Sequence, residues 1–121
     1  MAEIEWVPPK EIPEFVYESD VVAIDLETYD PEIKTKGPGW ATNNGKVIGV
    51  AIAANGWKGY FPVGHEVGPN IDANVFKRNF KKILDKDNTK VFHNGMYDVG
   101  WMRQWGLEVR GKIVDTMMAG C

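Results

Sequence analysis

Residues 21–28 read Val-Val-Ala-Ile-Asp-Leu-Glu-Thr, four apolar residues followed by two carboxylates two positions apart. The apolar start predicts a strand over Val21–Glu27 that is central in a sheet and covered on both faces. Side chains two apart on a strand point to the same side, so Asp25 and Glu27 are predicted to lie together. Such a pair is costly unless a cation neutralises it, and hard oxygen ligands suit Mg²⁺ or Mn²⁺. Taken by themselves, the two acids favour a different interpretation, in which the strand has already ended and both are solvated loop residues.

The composition predicts one soluble globular domain. The chain has 121 residues, 44% of them hydrophobic, a net charge of −3 and a mean hydropathy of −0.31. No apolar run approaches the roughly 20 residues that span a bilayer, and the N-terminus lacks a signal-peptide layout, so we expect a cytoplasmic location. The single cysteine, Cys121, cannot form an internal disulfide, which agrees with a reducing compartment. The negative charge argues against a protein that coats nucleic acid, but not against a nuclease, because bound cations restore positive potential.

The rest of the chain predicts an α/β fold. Residues 1–20 form an extended, proline-containing leader, and residues 21–121 form the domain. The predicted elements are a long polar loop (Thr28–Gly45), a hairpin of two strands (Lys46–Asn55 and Trp57–Val63), a loop (Gly64–Asp72), a helix (Ala73–Lys86), a strand (Lys90–His93), a helix (Tyr97–Trp105), a strand (Lys112–Val114) and a final helix (Asp115–Cys121). Three antiparallel strands followed by βαβ units give a mixed sheet with helices on its faces. Sites in such sheets form at the carboxyl ends of central strands.

A third acid is predicted to lie at the same edge of the sheet as the first two. Asp98 lies in the first turn of a helix, just past the fourth strand, where a carboxylate often merely caps. Asn94 could likewise be only an N-cap. Because Asp25, Glu27 and Asp98 share one edge, we interpret them as a metal site. Asp115 begins the last predicted helix; we interpret it as an N-cap, with a role as a fourth acid of the site as the alternative.

Other residues with chemical potential have simpler interpretations. His65 and His93 are predicted to be structural, because neither lies near a second histidine or a cysteine at zinc-ligand spacing. The basic residues of the first long helix are predicted to form its wet face, with weak contact to a DNA backbone left open; they are Lys77, Arg78, Lys81, Lys82 and Lys86. Most tryptophans are expected in the core, and Trp40, in the long loop, is predicted to be partly exposed.

Four ordered blocks resemble the proofreading 3′–5′ exonuclease domain of family A DNA polymerases, phage-type, within the DEDD superfamily with its ribonuclease H-like fold. The blocks are Asp25-Leu26-Glu27-Thr28, Tyr60-Phe61-Pro62-Val63-Gly64-His65, His93-Asn94-Gly95-Met96-Tyr97-Asp98 and residues 106–118. The resemblance implies that Asp25 bridges two Mg²⁺ or Mn²⁺ ions, that Glu27 binds the ion that activates water, and that Asp98 holds the second. It also implies that Thr28, Asn94 and Tyr97 contact the 3′-terminal nucleotides of single-stranded DNA, with release of deoxynucleoside monophosphates.

The sequence differs from the family pattern at its C-terminus. The family's third motif, a tyrosine or histidine followed four residues later by an aspartate, has no match before Cys121. We therefore expect a fold that is incomplete at the C-terminus, with a polymerase domain or the missing segment as a partner.

Two main functions follow from the sequence. One is a metal-dependent 3′–5′ exodeoxyribonuclease, weakened by the missing motif. The other is a catalytically incomplete module that binds nucleic acid or a partner chain, with self-association through the apolar Met117-Met118-Ala119. A ribonuclease of the same fold is a third, weaker interpretation.

Overall fold

A computed structural model describes residues 11–42, 45–66 and 68–116 of the chain. Within these ranges the strands are β1 (Val21–Tyr29), β2 (Lys46–Ala54), β3 (Trp57–Pro62), β4 (Thr89–Phe92) and β5 (Lys112–Asp115). The helices are α1 (Glu14–Tyr17), α2 (Ile33–Lys36), α3 (Gly39–Thr42), α4 (Ala73–Leu84) and α5 (Gly95–Gln104). The strands form a sheet in the order β3-β2-β1-β4-β5, antiparallel from β3 to β1 and parallel from β1 to β5. The predicted α/β fold with a mixed sheet is confirmed.

The core lies between one face of this sheet and helices α4 and α5. The sheet contributes Val22, Ile24, Leu26, Val50, Ile52, Phe61 and Phe92, and the helices contribute Phe76, Phe80, Ile83, Leu84, Trp101 and Met102. All four α4 side chains that were predicted to face inward, at spacings i, i+4, i+7 and i+8, are buried. This packing fixes α5 against the sheet and thereby sets the position of its first turn.

Local signals set the limits of several elements. Asn55 (φ 50°) and Gly56 (φ 78°) both adopt the left-handed conformation that the predicted tight turn between β2 and β3 requires. Asp72 caps α4 as predicted, because its Oδ1 accepts from the backbone N–H groups two and three residues later, at 2.9 and 3.1 Å. Gly106 (φ 85°) ends α5 in the left-handed conformation, also as predicted.

The opposite face of the sheet is open in the described part of the chain. Val21 is 52% exposed, and Asp25 on the same face is exposed as well. Ala23, Ala51 and Ala53 line a shallow cavity of about 290 Å³ there. The prediction that β1 is covered on both faces is therefore wrong for these residues, because α4 and α5 both pack on the other face.

The extended leader predicted for residues 1–20 is wrong for Glu14–Tyr17, which forms α1; residues 1–10 lie outside the described part. The helical turn begins directly after Pro13, whose carbonyl accepts from the backbone N–H of Val16 at 3.0 Å. Val16 is buried in the core, so the described half of this segment packs against the domain.

The structure also corrects the loop predicted for Thr28–Gly45. β1 does not stop at Glu27 but continues to Tyr29, with a register shift between Glu27 and Thr28, because its pairing with β2 extends to Lys46. Beyond β1, the one-turn helices α2 and α3 occupy most of the remaining described segment. The connection is therefore a folded loop rather than an irregular one.

The remaining elements agree with prediction to within a few residues at their ends. The exception is Asp115, which is the last residue of β5 rather than the first of a helix. Most of the helix predicted for Asp115–Cys121 falls on residues 117–121, outside the described part. Among the described residues, none of the helices has the length or apolar content that a bilayer crossing requires.

Candidate active site

Asp25 and Glu27 lie on the open face of β1 with exposed side chains. The prediction that they point to the same side of the strand is confirmed, because Leu26 between them is buried on the core face. β1 pairs with β4 only as far as Ala23, whereas its pairing with β2 runs on to Tyr29. Both acids therefore lie beyond the parallel-paired part of the strand, not at its end, and side chains from α5 can approach this edge.

Asp98 is the buried member of the acidic group. It lies in the first turn of α5 and is only 3% exposed. Burial, followed by the negative charge of Asp25, raises the pKa of Asp98 to about 7; the charge of Asp115 acts in the same direction. A hydrogen bond from the backbone N–H of Leu26 opposes this shift in pKa. Asp25 is thus close enough for its charge to disfavour ionisation of Asp98.

The oxygens around Asp98 match the needs of a hard divalent cation. Asp98 Oδ2 is buried and has no hydrogen-bond partner among the described residues, and Asp25 adds a second carboxylate. A cation would neutralise both charges and give the unpartnered oxygen a ligand. Across the described ranges, no three histidine, cysteine, aspartate or glutamate side chains are gathered closely enough to hold a metal ion together. The fit to a cation therefore rests on Asp25 and Asp98 as a pair, with Glu27 two residues from Asp25 on β1.

Glu27 accepts a hydrogen bond from a neighbouring strand. Tyr60 on β3 donates its hydroxyl hydrogen to Glu27 Oε2 at 2.7 Å. Burial, then this hydrogen bond and the charge of Glu27, raise the pKa of Tyr60. His65 Nε2 lies 2.6 Å from the Tyr60 oxygen, so the structural role predicted for this histidine has a specific partner. The link between these three residues was not predicted from the sequence.

Two of the predicted substrate-binding residues contact each other. Thr28 Oγ1 lies 2.8 Å from the Tyr97 hydroxyl, which donates to Asp30 Oδ2 at 2.8 Å. Because a phenol has one hydrogen, Thr28 must donate to Tyr97. Asp30 Oδ2 also accepts from the backbone N–H of Gly39 at 2.9 Å, which ties the start of α3 to α5. Burial raises the pKa of Tyr97. Asp30 is a member of this network that sequence reasoning missed.

The start of α5 is capped from the neighbouring strand. Asn94 is the N-cap residue of α5 by position, which agrees with the N-cap interpretation, but its side chain makes no capping hydrogen bond. Instead, Asp115 Oδ2 accepts from the backbone N–H of Gly95, the first residue of α5, at 2.9 Å. Asp115 therefore caps a helix, but this helix is α5 and not the one that was predicted to follow Asp115. The substrate-binding role of Asn94 stays a prediction.

The remaining predicted residues have local contacts. His93 Nδ1 lies 3.2 Å from Thr116 Oγ1. Trp40 is half-buried, which agrees with its predicted partial exposure, although Trp57 and Trp105 are half-buried too. The basic residues of α4 are largely exposed as predicted, except that the Lys77 ammonium lies 4.7 Å above the Trp105 ring. Lys86, just beyond the helix, donates to the carbonyl of Tyr17.

The fold of the chain has a counterpart among solved structures. The structure is similar to a solved structure described as the apo form of the nuclease, with a TM-score of 0.60 and 16% sequence identity. The match covers 92% of this chain and 48% of that chain, and at this identity the likeness is one of fold. The chain is therefore an α/β domain that shares its fold with that structure.

Comparison of the sequence identifies the family. The model of the 3′–5′ exonuclease family matches residues 8–121, and the chain therefore belongs to the 3′–5′ exonuclease domain family of family A DNA polymerases. It is 34% identical over 92 residues to a DNA-directed DNA polymerase of Pseudomonas phage M6. That match covers 72% of this chain and 14% of the phage polymerase, so the chain spans a small part of this relative. The family resemblance expected from the four sequence blocks is confirmed.

Proposed function

We propose that this domain is a metal-dependent exonuclease that removes deoxynucleoside monophosphates from the 3′ end of single-stranded DNA. The observation that carries the proposal is Asp98, a buried acid with an unpartnered oxygen beside Asp25. A buried carboxylate next to a second carboxylate is unfavourable without a cation, which supports a site for Mg²⁺ or Mn²⁺. Membership of the exonuclease family supports the same reaction.

The metal ligands in this proposal are Asp25, Glu27 and Asp98, for two ions. When bound, such ions activate the attacking water and stabilise the charge that develops on the leaving oxygen. Asp25 and Glu27 approach the site from the open face of β1, which is accessible to a DNA strand, whereas Asp98 closes the site from the buried side. The carboxylates therefore face solvent on one side only.

The proposed substrate contacts are Thr28, Asn94 and Tyr97. Thr28 and Tyr97 form a hydroxyl pair held by Asp30, so their oxygens are fixed before DNA arrives. Fixed donors and acceptors lower the entropy lost on binding, which supports a role in positioning the terminal nucleotide. The polymerase relative supports DNA as the substrate and a polymerase domain as a partner. The location that belongs to this proposal is the cytoplasm of a host cell.

The direction of DNA degradation and the identity of the released product test this proposal directly. Single-stranded DNA labelled at either the 3′ or the 5′ end is incubated with the chain and Mg²⁺ or Mn²⁺. We expect label from the 3′ end to appear as mononucleotide at once, and the 5′-labelled strand to shorten progressively. Release from the 5′ end first, or internal cleavage, would contradict the polarity. An RNA strand of the same sequence, cut at an equal or higher rate, would favour a ribonuclease.

A non-catalytic binding module is a second candidate, favoured by the open sheet face on which Val21 is 52% exposed. Such a module would retain single-stranded DNA, a partner chain or a second copy of itself without releasing nucleotides. Equilibrium DNA binding and size-exclusion chromatography in the presence of Mg²⁺ separate the two functions. DNA binding or self-association with no cleavage supports the module.

A further inference from the structure

Glu27 is held by a chain of hydrogen bonds that begins outside the acidic group. The Tyr60 hydroxyl donates to Glu27 Oε2 at 2.7 Å. Because this uses the single hydroxyl hydrogen, the 2.6 Å contact with His65 requires that Nε2 carries a hydrogen and donates to the Tyr60 oxygen. We infer that Tyr60 and His65 are positioning residues that fix the Glu27 carboxylate for divalent-ion binding, an inference that rests on the proposed exonuclease function.

The neighbouring strand leaves room for this contact. Gly49 on β2 is the residue in register with Glu27. A Cβ atom built on Gly49 would lie 1.7 Å from the Tyr60 hydroxyl oxygen. Tyr60 therefore occupies the space that a side chain at position 49 would fill. Because Gly49 has no side chain, the Tyr60 hydroxyl can reach across β2 to Glu27.

His65 is itself held in place. Its backbone N–H donates to Asn70 Oδ1 at 2.9 Å, and Asn70 Nδ2 donates to the His65 carbonyl at 2.8 Å. The imidazole meets the Tyr60 ring edge to face, with centroids 5.8 Å apart at 78°. The two hydrogen bonds between the His65 backbone and the Asn70 side-chain amide fix the position of the histidine. Asn70 thus holds His65, His65 contacts Tyr60, and Tyr60 contacts Glu27.

The consequence for Glu27 is a loss of rotational freedom. A long, exposed side chain on a strand ordinarily samples several rotamers, and ordering it on binding costs free energy. A hydrogen bond to one carboxylate oxygen restricts the direction of the other. Groups that orient a metal ligand in this way typically change metal affinity or activity by roughly 10- to 100-fold when they are removed.

The test uses the full chain with the substitution Tyr60→Phe, which removes only the hydroxyl. Mn²⁺ binding is measured by isothermal titration calorimetry without DNA, and kcat and KM are measured on single-stranded DNA. We expect Mn²⁺ affinity to fall by about 10-fold, kcat to fall and KM for DNA to stay unchanged. Tyr29→Phe is the matched control, because Tyr29 lies on β1 two residues from Glu27 and is 57% exposed; it should leave all three quantities unchanged.

Gly49→Ala is a second variant that reaches the same contact from β2. It keeps the Tyr60 hydroxyl but fills its space, so it should weaken Mn²⁺ binding like Tyr60→Phe, and the double variant should be little worse than either. Wild-type Mn²⁺ affinity in Tyr60→Phe would overturn this inference and leave the proposed function standing. A wild-type chain that neither binds Mn²⁺ nor releases nucleotides would overturn the proposed function, and this inference with it. Because Mn²⁺ binding is measured without DNA, it tests the positioning role of Tyr60 even where cleavage is slow.

Discussion

Asp98 and Asp25 form a pair in which the exposed acid perturbs the buried one. Asp98, 3% exposed in the first turn of α5, has a pKa raised to about 7 by its burial and then by the charge of Asp25 on β1. A carboxylate at this position is destabilised at neutral pH unless a proton or a cation accompanies it. The same pair that weakens the metal-free protein is therefore the feature that supports its proposed chemistry.

The pH dependence of stability follows from this shift. The pKa of Asp98 is about 7 in the folded chain and about 4 when unfolded, so the folded state binds the extra proton between these values. Its stabilising contribution is fully present below the unfolded pKa and is lost as the pH rises through 7. Compared with Asp98→Asn, the wild-type chain should lose roughly 2 kcal/mol or more of unfolding free energy between pH 5 and pH 8. Urea denaturation with a chelator present measures this difference; parallel pH profiles for the two proteins would contradict the prediction.

Asp30 should stabilise both the loop that follows β1 and the position of the Tyr97 side chain. Asp30→Ala removes the acceptor of both the Tyr97 hydroxyl and the Gly39 N–H, so the free energy of unfolding should fall by about 1–3 kcal/mol. Tyr97→Phe removes only the hydroxyl contacts and should cost less. Urea denaturation compares the two variants with the exposed Asp87→Asn as control. An Asp30→Ala protein as stable as that control would show that the network contributes nothing.

Lys90 is a buried lysine with two carbonyl partners. It has 0% exposure, and its ammonium donates to the carbonyls of Lys86 and Arg110, joining the end of α4 to the approach to β5. Burial lowers the pKa of Lys90. Lys90→Ala leaves a cavity and two carbonyls without their donor, so it should destabilise the fold by about 2–4 kcal/mol. Thermal and urea unfolding compare Lys90→Ala with the control Lys82→Ala, which changes an exposed lysine. Equal losses of unfolding free energy in the two variants would contradict the prediction.

The sheet and its helices could be predicted because their signals are local. Apolar runs, the Asn55-Gly56 turn and the spacing of the α4 phenylalanines each depend on neighbouring residues only. The placement of Asp25 and Asp98 at one edge followed from strand order. What covers each face of β1 could not be predicted, because Val21 and Ala23 are apolar whether or not another layer packs on them.

The hydrogen bonds that organise the site were beyond sequence reasoning because they join distant residues. Asp30 and Tyr97 are 67 positions apart, and Glu27 and Tyr60 are 33 apart. A lysine in a strand is ordinarily expected at the surface, and the burial of Lys90 depends on carbonyls supplied by the end of α4 and by the segment before β5. Asp115 shows the same limitation: its capping function was predicted, but the helix that it caps is fixed by the parallel pairing of β4 and β5.

The central claim is that Asp25 and Asp98 together hold a divalent cation, and calorimetric titration of Mn²⁺ at pH 8 tests it most directly. The wild-type chain and the exposed control Asp20→Asn should bind Mn²⁺ alike. Asp25→Asn and Asp98→Asn should each bind at least about 100-fold more weakly, because each removes a proposed ligand. Wild-type affinity in Asp98→Asn would contradict the account, because the buried, unpartnered oxygen of this residue is the observation on which the metal site rests.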